Sequence, residues 1–278
     1  MAINTTNIIR RALLKTRRAC GLTNVTAYFD GIGYRLDLNE YIDSEIYLNG
    51  YFEKDTTNAL LKLAEAGMTI FDIGANSGAH TMRMAKLVGE TGKVVAFEPM
   101  PWAYKKLGAN IELNKFSNIT VEKLGLSDRP ARDVEVEIAS SWPVSGYDSS
   151  QLHPVHKGRV VKEHIDFSTL DEYARAYEIK RLDIIKIDTD GYELKVLRGG
   201  ADTLKRFSPI LIVEMSRPEL KEKGSTLEEL ISFLDGLGYQ FYSGYDLNRL
   251  DKQVVLTAPP RKNNRSANIV ASVRDIRA

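Results

Sequence analysis

The chain is short of cysteine, of long apolar runs and, at one end, of negative charge. Its 278 residues include one cysteine, Cys20, so no internal disulfide can form and no cysteine cluster can hold zinc. A reducing, cytoplasmic setting is the expectation. No run nears the ~18 apolar residues of a membrane span, and the start lacks the continuous apolar stretch of a secretory signal. The 38 basic side chains nearly balance 37 acidic ones, which argues against a nucleic-acid surface spread over the molecule. Asp and Glu are missing altogether from the first 29 residues, where Arg10, Arg11, Lys15, Arg17 and Arg18 mingle with Ile8, Ile9, Leu13 and Leu14. A basic amphipathic helix of this kind either caps the main domain with its apolar side or makes peripheral contact with an anionic membrane or a lipid-linked substrate. The expected layout is this helix with a collar segment over residues 1–60, then one domain over residues 61–278.

What is present is ordinary in bulk, 43% hydrophobic and 27% charged, so a folded globular core is expected rather than disorder. From Met68 onward short β-rich runs alternate with helical patterns, which predicts an α/β fold with a mostly parallel sheet and helices on both faces. Strands are expected over 68–71, 93–97, 119–124, 134–138, 182–187, 210–213, 239–242 and 267–273. Helices are expected over 79–88, 102–113, 192–207 and 226–237, the last opened by a Thr226/Glu229 capping box. The stretch ASSWPVSGYDSSQLHPVHKG, residues 139–158, breaks the alternation and carries His153 and His156 among aromatics. Loops this long in compact domains are usually functional.

Ligands of open parallel sheets sit beyond the carboxyl ends of the strands. FDIGANSG, residues 71–78, lies at such an end. Gly74 permits a tight turn and backbone approach to a ligand, and Gly78 lets the helix pack close to the strand. The glycine spacing is G-x-x-x-G. It is neither the dinucleotide fingerprint nor the triphosphate loop, and Asp72 inside it would repel a pyrophosphate. Glu98, 24 residues past Gly74 at the end of the second strand, stands where nucleotide-binding sheets hold ribose hydroxyls. Two carboxylates without a phosphate cradle describe a cationic nucleoside, and S-adenosylmethionine fits.

The sequence resembles the FkbM-type S-adenosylmethionine-dependent methyltransferases. The matching pieces are EYIDSEIYLNGYFEKD, FDIGANSGAHT, VVAFEP, NITVEKLGLSD, LDIIKIDTDGYELKVLRGG and SANIVA, spread from about Glu40 to the C-terminus. The family's acidic turn resembles D-V-E-G, whereas this chain has Asp188-Thr189-Asp190-Gly191. The resemblance implies a class I methyltransferase (Rossmann-like) fold, a seven-stranded sheet with its last strand antiparallel. It also implies that Asp72, Gly74, Asn76 and Gly78 surround the methionine part of the cofactor, Glu98 the ribose, and Ser127 and Asp128 the adenine. Asp188 is then expected near the sulfonium and the incoming nucleophile. The substrate class it implies is a hydroxyl group on a sugar, a glycan or a small natural product such as a polyketide.

Methyl transfer to a hydroxyl needs collinear geometry and a way for the proton to leave. Candidate bases are Asp188, Asp190, His153 and His156. Alternatively Mg²⁺ or another divalent cation on Asp188 and Glu214, at neighbouring strand ends, would lower the hydroxyl pKa. The collar residues Asp43, Glu45, Tyr47, Tyr51 and Glu53 either fold over the cofactor or are structural. His80 is read as a packing or cofactor-side residue and His164 as structural. A hydride-transfer enzyme lacks its glycine signature here, and a cofactor-binding module without catalysis is opposed by the intact turn at Asp188. Whether the chain forms a homo-oligomer is open.

Overall fold

A computed structural model describes residues 5–140, 159–257 and 267–276. The chain opens with helix α1 (Thr5–Ala19), the hairpin β1 (Asn24–Phe29) and β2 (Ile32–Asp37), then α2 (Tyr41–Asn49) and α3 (Lys54–Leu63). The alternating part follows as β3 (Thr69–Ile73), α4 (Thr81–Val88), β4 (Lys93–Phe97), α5 (Pro101–Asn114) and β5 (Ile119–Glu122). An insertion of β6 (Gly125–Leu126), β7 (Ala131–Ser140) and β8 (Arg159–Ser168) leads to α6 (Leu170–Ala176) and β9 (Ile184–Ile187). Next come α7 (Glu193–Arg198), α8 (Ala201–Phe207), β10 (Ile210–Met215), α9 (Arg217–Glu222) and α10 (Leu227–Gly236). The chain ends with β11 (Gln240–Ser243), β12 (Arg249–Leu250), α11 (Lys252–Thr257) and β13 (Ala267–Ser272).

The main sheet runs β12-β11-β13-β10-β9-β3-β4-β5. Seven of these strands are the expected ones, with β13 antiparallel to both β10 and β11, and the two-residue β12 extends the edge by pairing with β11. Successive side chains of a strand point to opposite faces, and both faces are covered. Phe71, Val95, Ile185, Leu211 and Val213 face a core shared with Leu194, Leu197, Leu230 and Leu234. Ile70, Val94, Ile184 and Ile212 face Leu60, Leu63, Met84 and Val88. Phe71, Phe97 and Tyr173 meet edge to face with centroids 4.7–5.8 Å apart, each pair contributing about 0.5–1.5 kcal/mol beyond its area.

Three elements differ from the sequence pattern. The expected helix over 192–207 is two helices, α7 and α8, divided at Gly199-Gly200, where no side chain resists the bend. The run over 134–138 is the middle of β7, which pairs with β8 in a separate three-stranded sheet rather than joining the main one. The β1–β2 hairpin is an addition. It lays Ile32, Tyr34 and Leu36 against Met82 and Leu107, and α5 holds it by side chains: Asn114 Oδ1 accepts from Gly33 N at 2.7 Å and Asn110 Oδ1 from Arg35 N at 2.8 Å.

Helix α1 settles on the fold by a narrow stripe. Leu14 is buried, and Arg18 donates to the Leu38 carbonyl at 2.8 Å while the Arg10 guanidinium lies 4.9 Å from the centre of the Phe29 ring. Ile8, Ile9 and Leu13 remain exposed. The cap therefore uses two arginines and one leucine rather than the whole apolar side.

Candidate active site

The glycine turn, the β4 end and the β9 end meet at one cleft of about 1560 Å³. Gly74 N and Ala75 N both donate to the Phe97 carbonyl at 3.0 Å, which ties the turn to β4. Glu98 completes the tie, its carboxylate accepting from Asn76 N and Met100 N at 2.8 Å each. Gly74 has φ +78°, and a Cβ there would run into the backbone carbonyl of Asp188. The turn and the β9 end are thus in backbone contact, and the cleft opens where they meet.

The electrostatics centre on a residue the motif pattern does not single out. Lys186, in the otherwise apolar β9, is buried with its ammonium 3.4 Å from Asp72 Oδ1 and 3.3 Å from Asp188 Oδ2, and it donates to the Gly74 carbonyl at 2.8 Å. Burial lowers its pKa, but the charges of Asp188 and Asp72 outweigh that and raise it. Burial pushes Asp188 up; the Lys186 charge, a hydrogen bond with Glu214 and the charge of His80 together bring it below its ordinary value. Burial and the charge of Asp188 raise Glu214 well above the carboxylate range. The hydrogen-bonded pair is therefore polarised, with Asp188 drawn toward its ionised form and Glu214 toward its protonated one. Burial likewise raises Glu98 to about 7, against the two backbone hydrogen bonds that lower it.

The expected residues divide into two groups. Gly74, Asn76, Glu98, Asp188, Asp190 and Glu214 line the cleft. Asp72 and Gly78 stand behind it. Asp72 is fully buried and accepts from Thr81 Oγ1 at 2.6 Å, so it fixes the start of α4 and neutralises Lys186. Ser127 and Asp128 also lie off the lining, which near β6 consists of Leu124, Gly125 and Leu126. Asp190 sits at φ 50° in an exposed turn. That turn is held by Glu193, whose Oε1 accepts from Thr189 N at 2.8 Å and Gly191 N at 3.2 Å. His153 and His156 lie outside the described residues. His164 is exposed, with Nδ1 3.1 Å from Asp133 Oδ1. Lys186 and Glu193 carry a sequence signal only in hindsight, as charges where a strand and a packed helix start should be apolar.

The acceptors fit the nucleoside. Asn76 N and Met100 N use one direction on each Glu98 oxygen, and a carboxylate has about four acceptor sites in all. Asp188, with its side chain 23% exposed, presents negative charge to the cleft. They do not fit a divalent cation, because the Lys186 ammonium already stands 3.3 Å from Asp188 Oδ2, where a metal would have to compete with it. Among the described residues no group of three or more His, Cys, Asp or Glu is arranged to hold a metal.

The sequence profile described as the methyltransferase FkbM domain matches residues 72–241, more than half of the chain. A profile for protein-L-isoaspartate(D-aspartate) O-methyltransferase matches residues 2–125, less than half. The chain is 26% identical over 160 residues to hexuronic acid methyltransferase AglP of Haloferax volcanii, covering 58% of this chain and 61% of that protein. It is 25% identical over 174 residues to 2-O-methyltransferase NoeI of Sinorhizobium fredii, covering 59% and 70%. The solved structure of methyltransferase FkbM from Methylobacillus flagellatus superposes with TM-score 0.51 and 16% identity over 81% of this chain and 49% of that one, a likeness of fold. The chain thus spans under two thirds of the first of these relatives and about half of the solved structure.

Proposed function

Because the chain belongs to the FkbM methyltransferase family, we propose that it transfers a methyl group from S-adenosylmethionine to a hydroxyl of a sugar or glycan. The observation that carries the reading is the ionised Asp188 beside the glycine turn, with Glu98 across the same cleft and no phosphate cradle between them. The sugar class is supported by the names of the relatives, a hexuronic acid methyltransferase and a 2-O-methyltransferase. The cofactor supplies an electrophilic methyl group on a sulfonium. Glu98 would accept the ribose hydroxyls, the glycine turn at Gly74 and Asn76 would run along the amino-acid part, and Asp188 would face the positive sulfur. Holding oxygen, carbon and sulfur in line is then a matter of position. A cleft of about 1560 Å³ exceeds the ~300–1,000 Å³ common for one ligand and leaves room for the acceptor.

The test is transfer of labelled methyl over a panel of sugar nucleotides, glycans and small-molecule hydroxyls, with and without chelator. Transfer to at least one sugar hydroxyl, surviving the chelator, is the expected result. Activity confined to carboxylate acceptors would sink the O-methyl reading, and activity lost to chelator and restored by Mg²⁺ would reverse the metal argument.

Glu98 adds a pH dependence of defined sign. Ribose hydroxyls donate to its anion, so below about 7 a proton must leave before the cofactor binds. Affinity should fall roughly tenfold from pH 8 to pH 6, while Glu98→Gln should bind weakly at both. The free protein should move the other way. Its carboxyl ionises near 4.5 when unfolded and near 7 when folded. The stability this contributes is full below 4.5 and is lost as pH rises through 7. Calorimetry and melting curves at pH 6, 7 and 8 measure both, and a pH-independent cofactor affinity would contradict the ribose assignment.

A further inference from the structure

We propose that Glu53 is the acceptor-side catalytic residue, taking the hydroxyl proton during transfer, with His80 and Asn268 as the residues that position it; this rests on the methyltransferase reading above. Asp188 is poorly suited to the task, since the Lys186 ammonium stands 3.3 Å from its Oδ2 and, with the hydrogen bond to Glu214, holds its carboxyl below the ordinary value. Glu53 lies close by and is built differently. It precedes α3 with φ 41° and ψ 94°, a conformation non-glycine residues rarely adopt and one that persists only where the surroundings impose it. Three separate parts of the chain converge on its Oε2. Asn268 Nδ2 donates from β13 at 2.9 Å, Thr56 Oγ1 donates at 3.1 Å, and His80 Nε2 stands at 3.4 Å from the start of α4.

His80 is 4% exposed, and its Nε2 is buried without a hydrogen-bond partner, close enough to stabilise charge on Glu53 but not tied to it. Asn268 is the register partner of Glu214, so its hydrogen bond sets Glu53 beside the end of β10 that carries Glu214. Glu53, His80 and Asn268 all line the cleft, and the Glu53 side chain keeps 22% of its surface open there. Beside them Phe52 lies edge-on to Tyr41 at 6.2 Å and 5.9 Å from the His80 ring, an apolar wall suited to the C–H face of a sugar. In the step itself the acceptor oxygen forms its bond to the methyl carbon as the carbon–sulfur bond breaks with its electron pair on sulfur. The hydroxyl proton passes to the Glu53 carboxylate.

Glu53→Gln keeps an acceptor oxygen for Asn268 and Thr56, so the fold and cofactor affinity should hold within about threefold while kcat falls ~100-fold or more, the range of a lost general base. Glu53→Asp should recover part of kcat. Asn268→Ala should lower kcat about tenfold at unchanged cofactor affinity, and it decides the matter if Glu53→Gln does not fold. Wild-type kcat in Glu53→Gln, or a fall in cofactor affinity as large as the fall in kcat, would overturn the assignment, the latter making Glu53 a cofactor clamp. A wild-type protein that binds no S-adenosylmethionine or methylates no hydroxyl would instead overturn the parent reading, so the two failures are distinguishable.

Discussion

Gly74→Ala should lose cofactor binding, by ~100-fold or more, and melt well below the wild type. Two penalties coincide at this position. At φ +78° an alanine is strained, and its Cβ would fall well inside 3.0 Å of the Asp188 carbonyl oxygen, which is backbone and cannot rotate aside. Relief requires β3 and β9 to part at the point where the turn, Lys186 and Asp188 are joined. Together the two terms are on the order of 3 kcal/mol or more. Gly224→Ala is the matched control, because Gly224 has the same φ of +78° with nothing within 4 Å of its added Cβ. It should cost about 1 kcal/mol and leave cofactor affinity alone. Equal losses in the two variants would mean that the close approach of the turn to β9 does not matter.

Lys186→Met should be the more damaging change to stability. It removes a fully buried cation that stands between Asp72 and Asp188 and leaves the two carboxylates facing each other. Breaking a buried pair in this way costs on the order of 3–5 kcal/mol. The sign of its pH dependence follows from the chemistry. Without the ammonium, the largest influence that lowers Asp188 is gone and burial raises its folded-state pKa. The variant should then be most stable in acid and lose stability as pH rises toward neutrality. Adding Asp72→Asn removes one of the stranded charges and should restore part of the loss, a coupling that a double-mutant cycle reads directly. A single variant with wild-type melting at pH 7 would show that Lys186 is not the counter-charge of the site.

The strands that end at the cleft were legible because each is mostly apolar and stops at a glycine or an acid: TIFDIG, VVAFE and IIKID. The capping box at Thr226 and Glu229 was equally local, and it forms as expected, with Glu229 N donating to Thr226 Oγ1 at 3.1 Å. What was not legible depends on distance in space. Asp72 looks in the sequence like a ligand group, yet it is the counter-ion of a lysine more than a hundred residues away in the chain. Glu53 sits in a stretch with many acids, and only its meeting with His80 and Asn268 singles it out. The β1–β2 hairpin lies before the strand–helix alternation. Its mark is local, an Asp30-Gly31 pair that takes φ values of 50° and 72° at the turn.

Asn110 joins two of these regions through one side chain. Its amide oxygen receives Arg35 N from the hairpin, and its amide nitrogen donates to the Ser77 carbonyl of the glycine turn at 2.9 Å. The residue is buried, so neither bond can be exchanged cheaply for water. In mechanical terms the amide is a strut of fixed length. The turn cannot tilt toward a ligand without drawing the hairpin along α5, so the two respond to load as one rigid piece, and whatever flexibility the cleft has must lie on its other walls.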